Sequence, residues 1–392
     1  LKVLFFDYSP FFGGAERSLM SLMPRLDAGI EPVLVAGRSA QWPREASEKG
    51  IKCHAMDIGP RLSAISQRQA VGGGLHPSLW AEYARARRAF DRICIQERPD
   101  AICANTFKAA IFTGMHQGIC GAKLIWYVRD IVGGAAGGLW WLLGSVKRPH
   151  LIAVSRAAAS QPALHWAGSD PKVVYNGIDC AAWRHKSEEN TVVEIRSKLG
   201  LDPGEKMLAS FGQLAPWKGQ ENALTALAWL HKRGVMCKLA LVGDAVFSDH
   251  SYPRKLKALA ERMGISNRVK FCGWVNNPAP YMAAADIVVH TPFKPEPFGR
   301  VVVEAMCLGK AVVAFRSGAI PELIEDGTSG MLCGREDLPL VLEKLIYDPA
   351  RARAIGLAAC KRADLKFNLQ ATAAGASEVF MDIISRNRAG ER

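Results

Sequence analysis

Pro295-Glu296-Pro297-Phe298-Gly299-Arg300-Val301-Val302-Val303-Glu304 lies between two short apolar runs, residues 287–290 and 311–315. Each run is four or five residues of mostly Val, Ile and Ala, the pattern of a strand buried on both faces. The prolines on either side of Glu296 hold it in extended or turn geometry, so it sits on a loop. From Gly299 to about residue 308 the pattern becomes helical. Strand, loop, helix and strand in so short a span is the repeating unit of a parallel α/β sheet.

The same alternation runs through the chain. In the first half, residues 3–6, 32–36, 101–104, 124–128 and 151–154 read as strands, with helices at 15–26 and 79–96. In the second half the strands fall at 207–211, 238–242, 269–272, 287–290 and 311–315, with helices at 221–233, 252–263 and 299–308. At about 150 residues per domain, 392 residues make two domains, each a doubly wound Rossmann-like sheet. The polar stretch 183–190 breaks the pattern and is expected to be the linker. It separates a first domain of residues 1–182 from a second of 190–365, and a last helix at 369–386 is left unplaced by periodicity.

Composition sets outer limits. Hydrophobic residues make up 49% and charged residues 22%, an ordinary globular balance that disfavours disorder. Fifty Lys and Arg against 37 Asp and Glu leave a net charge of +13, which suits anionic partners: nucleic acid, acidic lipid or phosphorylated small molecules. The ten cysteines include no Cys-x-x-Cys, and most stand in apolar runs. They read as free, buried thiols in a reducing cytoplasm. The nine histidines show no metal-ligand spacing, so no protein-held metal is expected. The first residues lack the pattern of a signal peptide, and the uncharged segment 131–146 is shorter than the roughly 20 residues of a membrane span.

Three features favour phosphate, each weak alone. In Phe11-Phe12-Gly13-Gly14-Ala15-Glu16, paired glycines precede the first helix, although a plain tight turn explains a lone Gly-Gly as well. In Phe211-Gly212-Gln213-Leu214-Ala215-Pro216-Trp217-Lys218-Gly219, a lysine follows the first strand of the second half, where a phosphate-neutralising cation or a solvated surface charge would both fit. The third is the start of the helix at Gly299, with its free N–H groups. Inside that helix Glu304 lies among valines, alanine and methionine. An acid there is costly to bury unless it accepts hydrogen bonds, for which sugar hydroxyls are suitable donors. For Glu296 an acid complementing the helix dipole is the plainer reading.

Taken together, the ordered set resembles the family 4 retaining glycosyltransferases. The resemblance rests on Glu-Pro-Phe-Gly-Arg-Val-Val-Val-Glu from Glu296 to Glu304, Trp217-Lys218-Gly219, Gly243-Asp244, Asn176-Gly177-Ile178-Asp179 and Gly13-Gly14-Ala15-Glu16, in that family's order. It implies the GT-B fold, two facing Rossmann-like domains around a central cleft, with a C-terminal helix over residues 366–392 crossing back to the first domain. It also implies that Glu304 holds the ribose and Glu296 the donated sugar. Lys218 would neutralise the diphosphate with the amides around Phe298 and Gly299, and Trp274 and Val275 would line the base. Gly13 and Gly14 would close over the diphosphate. The implied donor is a UDP- or GDP-sugar, the acceptor a glycan or lipid-linked molecule, and the reaction retaining and free of metal and cofactor.

Two departures stand out. Gln213 replaces the arginine usual before the lysine, with Arg300 as a candidate to compensate. Arg129, in Tyr127-Val128-Arg129-Asp130, replaces a histidine that often contacts the donated sugar. Arg129 has two readings, a ligand of sugar or acceptor alongside Glu16, or a partner of Asp130. Against nucleic-acid binding, the arginines of residues 85–92 alternate with apolar residues at helical spacing and read as a solvated helix face. Leu139-Trp140-Trp141-Leu142-Leu143, followed by Lys147-Arg148, suits either a packed helix or peripheral contact with the inner face of the cell membrane. A non-catalytic carbohydrate-binding scaffold of the same fold is the alternative function. Sugar-nucleotide 2-epimerases share the fold but lack the two-glutamate segment. Residues 59–76, with Gly72–Gly74 in a row, are the least interpretable part and read as an acceptor loop.

Overall fold

The structure is a computed structural model that describes residues 1–10, 12–38, 41–64, 77–116, 120–166, 168–187, 189–245 and 250–388. Residues 65–76 of the expected acceptor loop and Phe11 of the first glycine motif lie outside the described residues. Two compact units form, one from Leu1–Gly177 with Leu369–Arg392, the other from Ile178–Asn368.

Among its described residues the first unit holds a seven-stranded parallel sheet: β1 (Lys2–Asp7), β2 (Glu31–Gly37), β3 (Lys52–Met56), β4 (Ala101–Ala104), β5 (Lys123–Val128), β6 (His150–Ala153) and β7 (Lys172–Val173). The order is β3-β2-β1-β4-β5-β6-β7. From Val3 to Asp7 the central strand β1 is buried on both faces, as its unbroken apolar run requires. The helix Pro77–Glu97 buries Ala86, Phe90, Cys94 and Glu97, while Arg85, Arg88 and Arg92 are exposed, so the arginine run is a solvated face. In the helix Gly134–Lys147, Trp140 is buried and stacks on Trp126 with centroids 5.9 Å apart. Trp141, Leu142 and Val146 on the same helix stay exposed. The helix therefore packs and also presents an apolar face.

The C-terminal helix Leu369–Arg388 joins this first unit. Phe380 meets Phe5 edge-on at 5.6 Å, Ser377 Oγ accepts from the Asp27 amide at 2.9 Å, and Thr372 Oγ1 donates to Tyr175 O at 2.9 Å.

The second unit holds, among its described residues, a six-stranded parallel sheet: β8 (Lys206–Phe211), β9 (Cys237–Val242), β10 (Val269–Gly273), β11 (Ile287–His290), β12 (Ala311–Phe315) and β13 (Met331–Cys333), in the order β10-β9-β8-β11-β12-β13. The helix Arg300–Cys307 buries Val302, Val303, Ala305 and Met306 against this sheet's core. The helix Pro349–Lys366 comes so close that a Cβ on Gly356 would stand 2.0 Å from Gly309 O.

Two expectations need correction. The stretch 183–190 is no extended linker: it begins inside the helix Cys180–His185 and runs into Glu189–Lys198, both in the second unit, and the division falls at Gly177/Ile178. Arg184, His185 and Lys186 are exposed at the end of a short helix, which composition alone cannot distinguish from a linker. Nor are all ten cysteines free. Cys180 and Cys307 form a disulfide, fastening that first short helix to the end of Arg300–Cys307, where Arg184 also donates to Cys307 O at 3.2 Å. The pair is 127 residues apart in sequence and gives no spacing signal.

At the amino edge of the first sheet, Glu97 is buried and bonded to Lys2 Nζ at 3.2 Å, Lys52 Nζ at 3.0 Å and His54 Nε2 at 2.7 Å. Burial would raise its carboxyl, but these three donors outweigh it and hold the group down at about 2. A depressed carboxyl stabilises the fold above its unfolded value near 4.5 and loses that contribution as pH falls towards 2. Glu97→Gln is expected to cost about 2 kcal/mol at pH 7, and a few degrees of Tm. The penalty should shrink between pH 4.5 and pH 2 in calorimetric melts.

Candidate active site

Parallel strands bring all their carboxyl ends to one edge of a sheet, and open α/β sheets bind ligands where the strand order reverses. In the second sheet that point is β8 beside β11. Lys218 lies in the turn Pro216–Lys218 after β8, and Glu296 in the loop after β11. The two loops are laced together. Thr291 Oγ1 donates to Gly219 O at 3.1 Å, Asn222 Nδ2 to Thr291 O at 3.1 Å, and the Phe293 amide to Trp217 O at 2.9 Å. Gly219 has a φ of +68°, and a Cβ there would stand 2.0 Å from Thr291 O, so only glycine permits the approach.

The lacing places the Lys218 ammonium directly against Glu296 Oε1. The Glu296 side chain is only 10% exposed, that of Lys218 28%. Burial alone would push the Glu296 carboxyl up. The Lys218 charge, with His290 next, overrides this and holds the acid well below the usual carboxylate range. Glu296 is thus an ion-pair partner in this state, not a free acid complementing a helix end. Its backbone is also fixed: the Ala319 amide donates to Glu296 O at 2.9 Å, and Gly318, at φ +57°, leaves no room for a Cβ, which would lie 2.3 Å from that oxygen.

Gly299 takes the N-cap position of the helix Arg300–Cys307 at φ +97°. The Val302 amide turns back on Gly299 O at 3.0 Å, and the helix begins four residues after Glu296. Phe298 is buried and meets Phe367 at 6.1 Å, anchoring the helix start by its ring. Arg300 Nη2 donates to Glu304 Oε1 at 3.1 Å, so Arg300 is engaged with Glu304 one turn along. Gln213, which stands where an arginine was usual, has a buried Nε2 without an acceptor among the described residues. Trp274, half exposed, and Val275 follow β10 on the same carboxyl edge.

In the first unit the strand order reverses at β1 beside β4. Here Asn105 Nδ2 donates to Asp7 Oδ2 at 2.8 Å, Arg129 Nε to Asn105 Oδ1 at 2.7 Å, and Arg129 Nη1 to Asn176 Oδ1 at 2.7 Å. The guanidinium lies 3.9 Å over the Tyr127 ring and its Nη2 has no hydrogen-bond partner among the described residues. Arg129 therefore bonds to two asparagines and not to Asp130. The Gly13 amide donates to Glu16 Oε2 at 2.9 Å, closing the start of the helix Gly14–Leu22. Burial first, then the nearby Asp7 charge, pushes the Glu16 carboxyl up to about 7. Gly13, Gly14, Glu16 and Arg129 belong to this unit, whereas Gln213, Lys218, Trp274, Val275, Glu296, Phe298, Gly299, Arg300 and Glu304 belong to the other.

Sequence reasoning missed His290, Thr291 and Gly318. His290 had a signal available: it is the last residue of an expected strand, and last residues face the carboxyl edge. The close approach that makes Gly318 necessary has no trace in one sequence. Among the described residues, no group of three His, Cys, Asp or Glu is placed to hold a metal ion.

Comparison with known proteins bears on the family and the fold. The profile of the family "Glycosyl transferases group 1" matches residues 192–362, and that of "Glycosyltransferase Family 4" matches residues 12–182. A D-inositol 3-phosphate glycosyltransferase of Segniliparus rotundus is 32% identical over 234 residues, 57% of this chain and 50% of its own length. One of Rhodococcus opacus is 30% identical over 240 residues, 59% of this chain and 52% of its own. The chain thus spans about half the length of the curated relatives it matches. Among solved structures, Anabaena HepE in complex with UDP-glucose superposes with a TM-score of 0.82 at 27% identity, over 97% of this chain and 99% of that one. Sucrose-phosphate synthase from Thermosynechococcus elongatus gives a TM-score of 0.80 at 17% identity over 98% and 99%, a likeness of fold.

Gly318→Ala is expected to force the Glu296 backbone aside, because a side chain at that φ is strained and has no space. Stability should fall by about 1–3 kcal/mol, read as a lower Tm. Any activity that depends on the Glu296 carboxylate should fall further than that loss of folded protein explains.

Proposed function

The chain belongs to glycosyltransferase family 4, the group 1 glycosyl transferases, and from that premise we propose that it moves a hexosyl unit from a nucleoside diphosphate sugar to a glycan or lipid-linked acceptor. The single observation that carries the proposal is the Lys218–Glu296 pair, held beside a helix start at the second sheet's reversal point. A cation beside the positive end of a helix suits a departing diphosphate, and the acid suits sugar hydroxyls.

As the bond to the sugar breaks, negative charge gathers on the diphosphate and the anomeric carbon becomes oxocarbenium-like. Fixed donors aimed at that charge lower the barrier. The proposal gives this task to Lys218, the Gln213 Nε2 and the first amides after Gly299, and none of it to a metal ion. Glu296 grips the sugar, Glu304 the ribose, and Trp274 with Val275 the base. Gly13, Gly14, Glu16 and Arg129 serve diphosphate, sugar or acceptor. The acceptor attacks from the leaving-group side, so configuration is retained, and the diphosphate takes its proton. HepE, bound to UDP-glucose, makes a UDP-sugar the first donor to try, with a GDP-sugar beside it.

D-inositol 3-phosphate enters the acceptor panel because the curated relatives are named for it. The alternative is a carbohydrate-binding scaffold, favoured by the two departures at Gln213 and Arg129. We place the reaction in the cytoplasm at the inner face of the membrane, because Trp141, Leu142 and Val146 form an exposed apolar face next to Lys147 and Arg148. No helix among the described residues is long and apolar enough to cross a membrane.

A thermal-shift screen with UDP-, GDP- and ADP-sugars, followed by hydrolysis assays, tests the reading. Lys218→Ala is expected to cost about 3 kcal/mol of barrier, roughly a hundredfold in kcat/KM. Glu304→Ala should weaken nucleotide binding and Glu296→Ala should mainly lower turnover. A scaffold would bind without turnover, and wild-type kinetics in all three variants would refute the assignment. In liposome flotation, Trp141→Ala with Leu142→Ala should reduce recovery on anionic vesicles, and equal recovery would remove the membrane contact.

A further inference from the structure

Glu296 Oε1 has two neighbours, and only one of them bonds to it well. The Lys218 ammonium is in direct contact. The imidazole of His290 lies on the other side, its Nε2 3.4 Å away and without a hydrogen-bond partner among the described residues. That distance exceeds an ordinary N–H···O bond. His290 is 6% exposed, so solvent does not readily make up the missing partner, and an unpaired buried nitrogen costs free energy. The lone nitrogen therefore faces a carboxylate that already has a partner.

Resting on the donor-site reading given above, we propose that His290 is a positioning residue for Glu296, taking over its carboxylate when the donor diphosphate draws the Lys218 ammonium away. The Lys218 side chain is more open than that of Glu296, so an arriving phosphate can reach the ammonium. Glu296 cannot follow, because its backbone is clamped by the Ala319 amide and by the close approach of Gly318. Without Lys218 the buried carboxylate would lose the charge that offsets its desolvation and would tend to take up a proton. A shift of a few tenths of an ångström brings it into hydrogen-bond range of His290 Nε2, which donates. The carboxylate then stays ionised and aimed, ready to accept from sugar hydroxyls.

The charged and titratable groups facing Glu296 are Lys218 from the turn after β8 and His290 from β11, while the segment at Gly318 and Ala319 contributes backbone only. Removing the His290 donor should therefore make the sugar contact sensitive to acid, without touching the nucleotide contacts.

The test is calorimetric binding of UDP and of UDP-glucose to the full chain at pH 6 and pH 8. In the wild type UDP-glucose should bind more tightly than UDP at both values. His290→Phe should hold UDP within about threefold of wild type. Its UDP-glucose advantage should fall about tenfold at pH 6 and recover at pH 8. His290→Gln, which restores a neutral donor near the same place, should return most of it. A phenylalanine variant that keeps the wild-type advantage at both pH values overturns the inference alone, and so does a glutamine variant that loses the advantage equally at both. Absence of UDP binding by the wild-type chain overturns the donor-site reading and this inference with it.

Discussion

The ion pair between Lys218 and Glu296 is the contact around which the second unit is arranged. Such a pair, largely withdrawn from water, gains little stability by itself, since desolvation offsets most of the attraction. It persists because both loops are fixed independently of it: Gly219 against Thr291, Gly318 against Glu296, and the hydrogen bond from the Phe293 amide to Trp217 O. The loops keep the carboxylate and ammonium at one spot until a ligand competes for the more open ammonium. That constraint is costly in the free protein and useful to a ligand with a negative group for one partner and hydroxyls for the other.

The same principle governs the first unit in a different chemistry. Asp7, Asn105, Arg129 and Asn176 form a buried chain of hydrogen bonds at the reversal point of the first sheet. Asparagines lie on both sides of the guanidinium, so its charge is oriented without being neutralised by a direct ion pair. Glu16 sits nearby with a carboxyl that burial and Asp7 bring to about 7. Both sheets therefore place polar, unusually desolvated side chains at the one edge where a parallel fold leaves room for a ligand.

Much of this was legible in the amino-acid sequence. The strands expected at 101–104, 287–290 and 311–315 match the observed bounds, because each is an apolar run with sharp ends, buried throughout or, at 311–315, in all but its last residue. β3, β7 and β13 escaped, being partly exposed or only two or three residues long at or near sheet edges, where no apolar run is required. Lys218, Glu296 and Glu304 were found because a motif fixes their spacing. Their partners were not: Arg300 on Glu304 is a pair one turn apart on a single helix that motif reading passed over, whereas Lys218 on Glu296 depends on where two loops 78 residues apart return. The Cys180–Cys307 bond belongs to the same class, a juxtaposition that only the folded chain creates.

The central claim is that the Lys218–Glu296 pair opens to admit the donor. A crystal structure of the full chain with UDP-glucose bound tests it most directly. The account predicts the Lys218 ammonium on a diphosphate oxygen and the Glu296 carboxylate on hydroxyls of the glucose ring. A bound donor with the pair still closed, and both groups out of reach of the ligand, would contradict it.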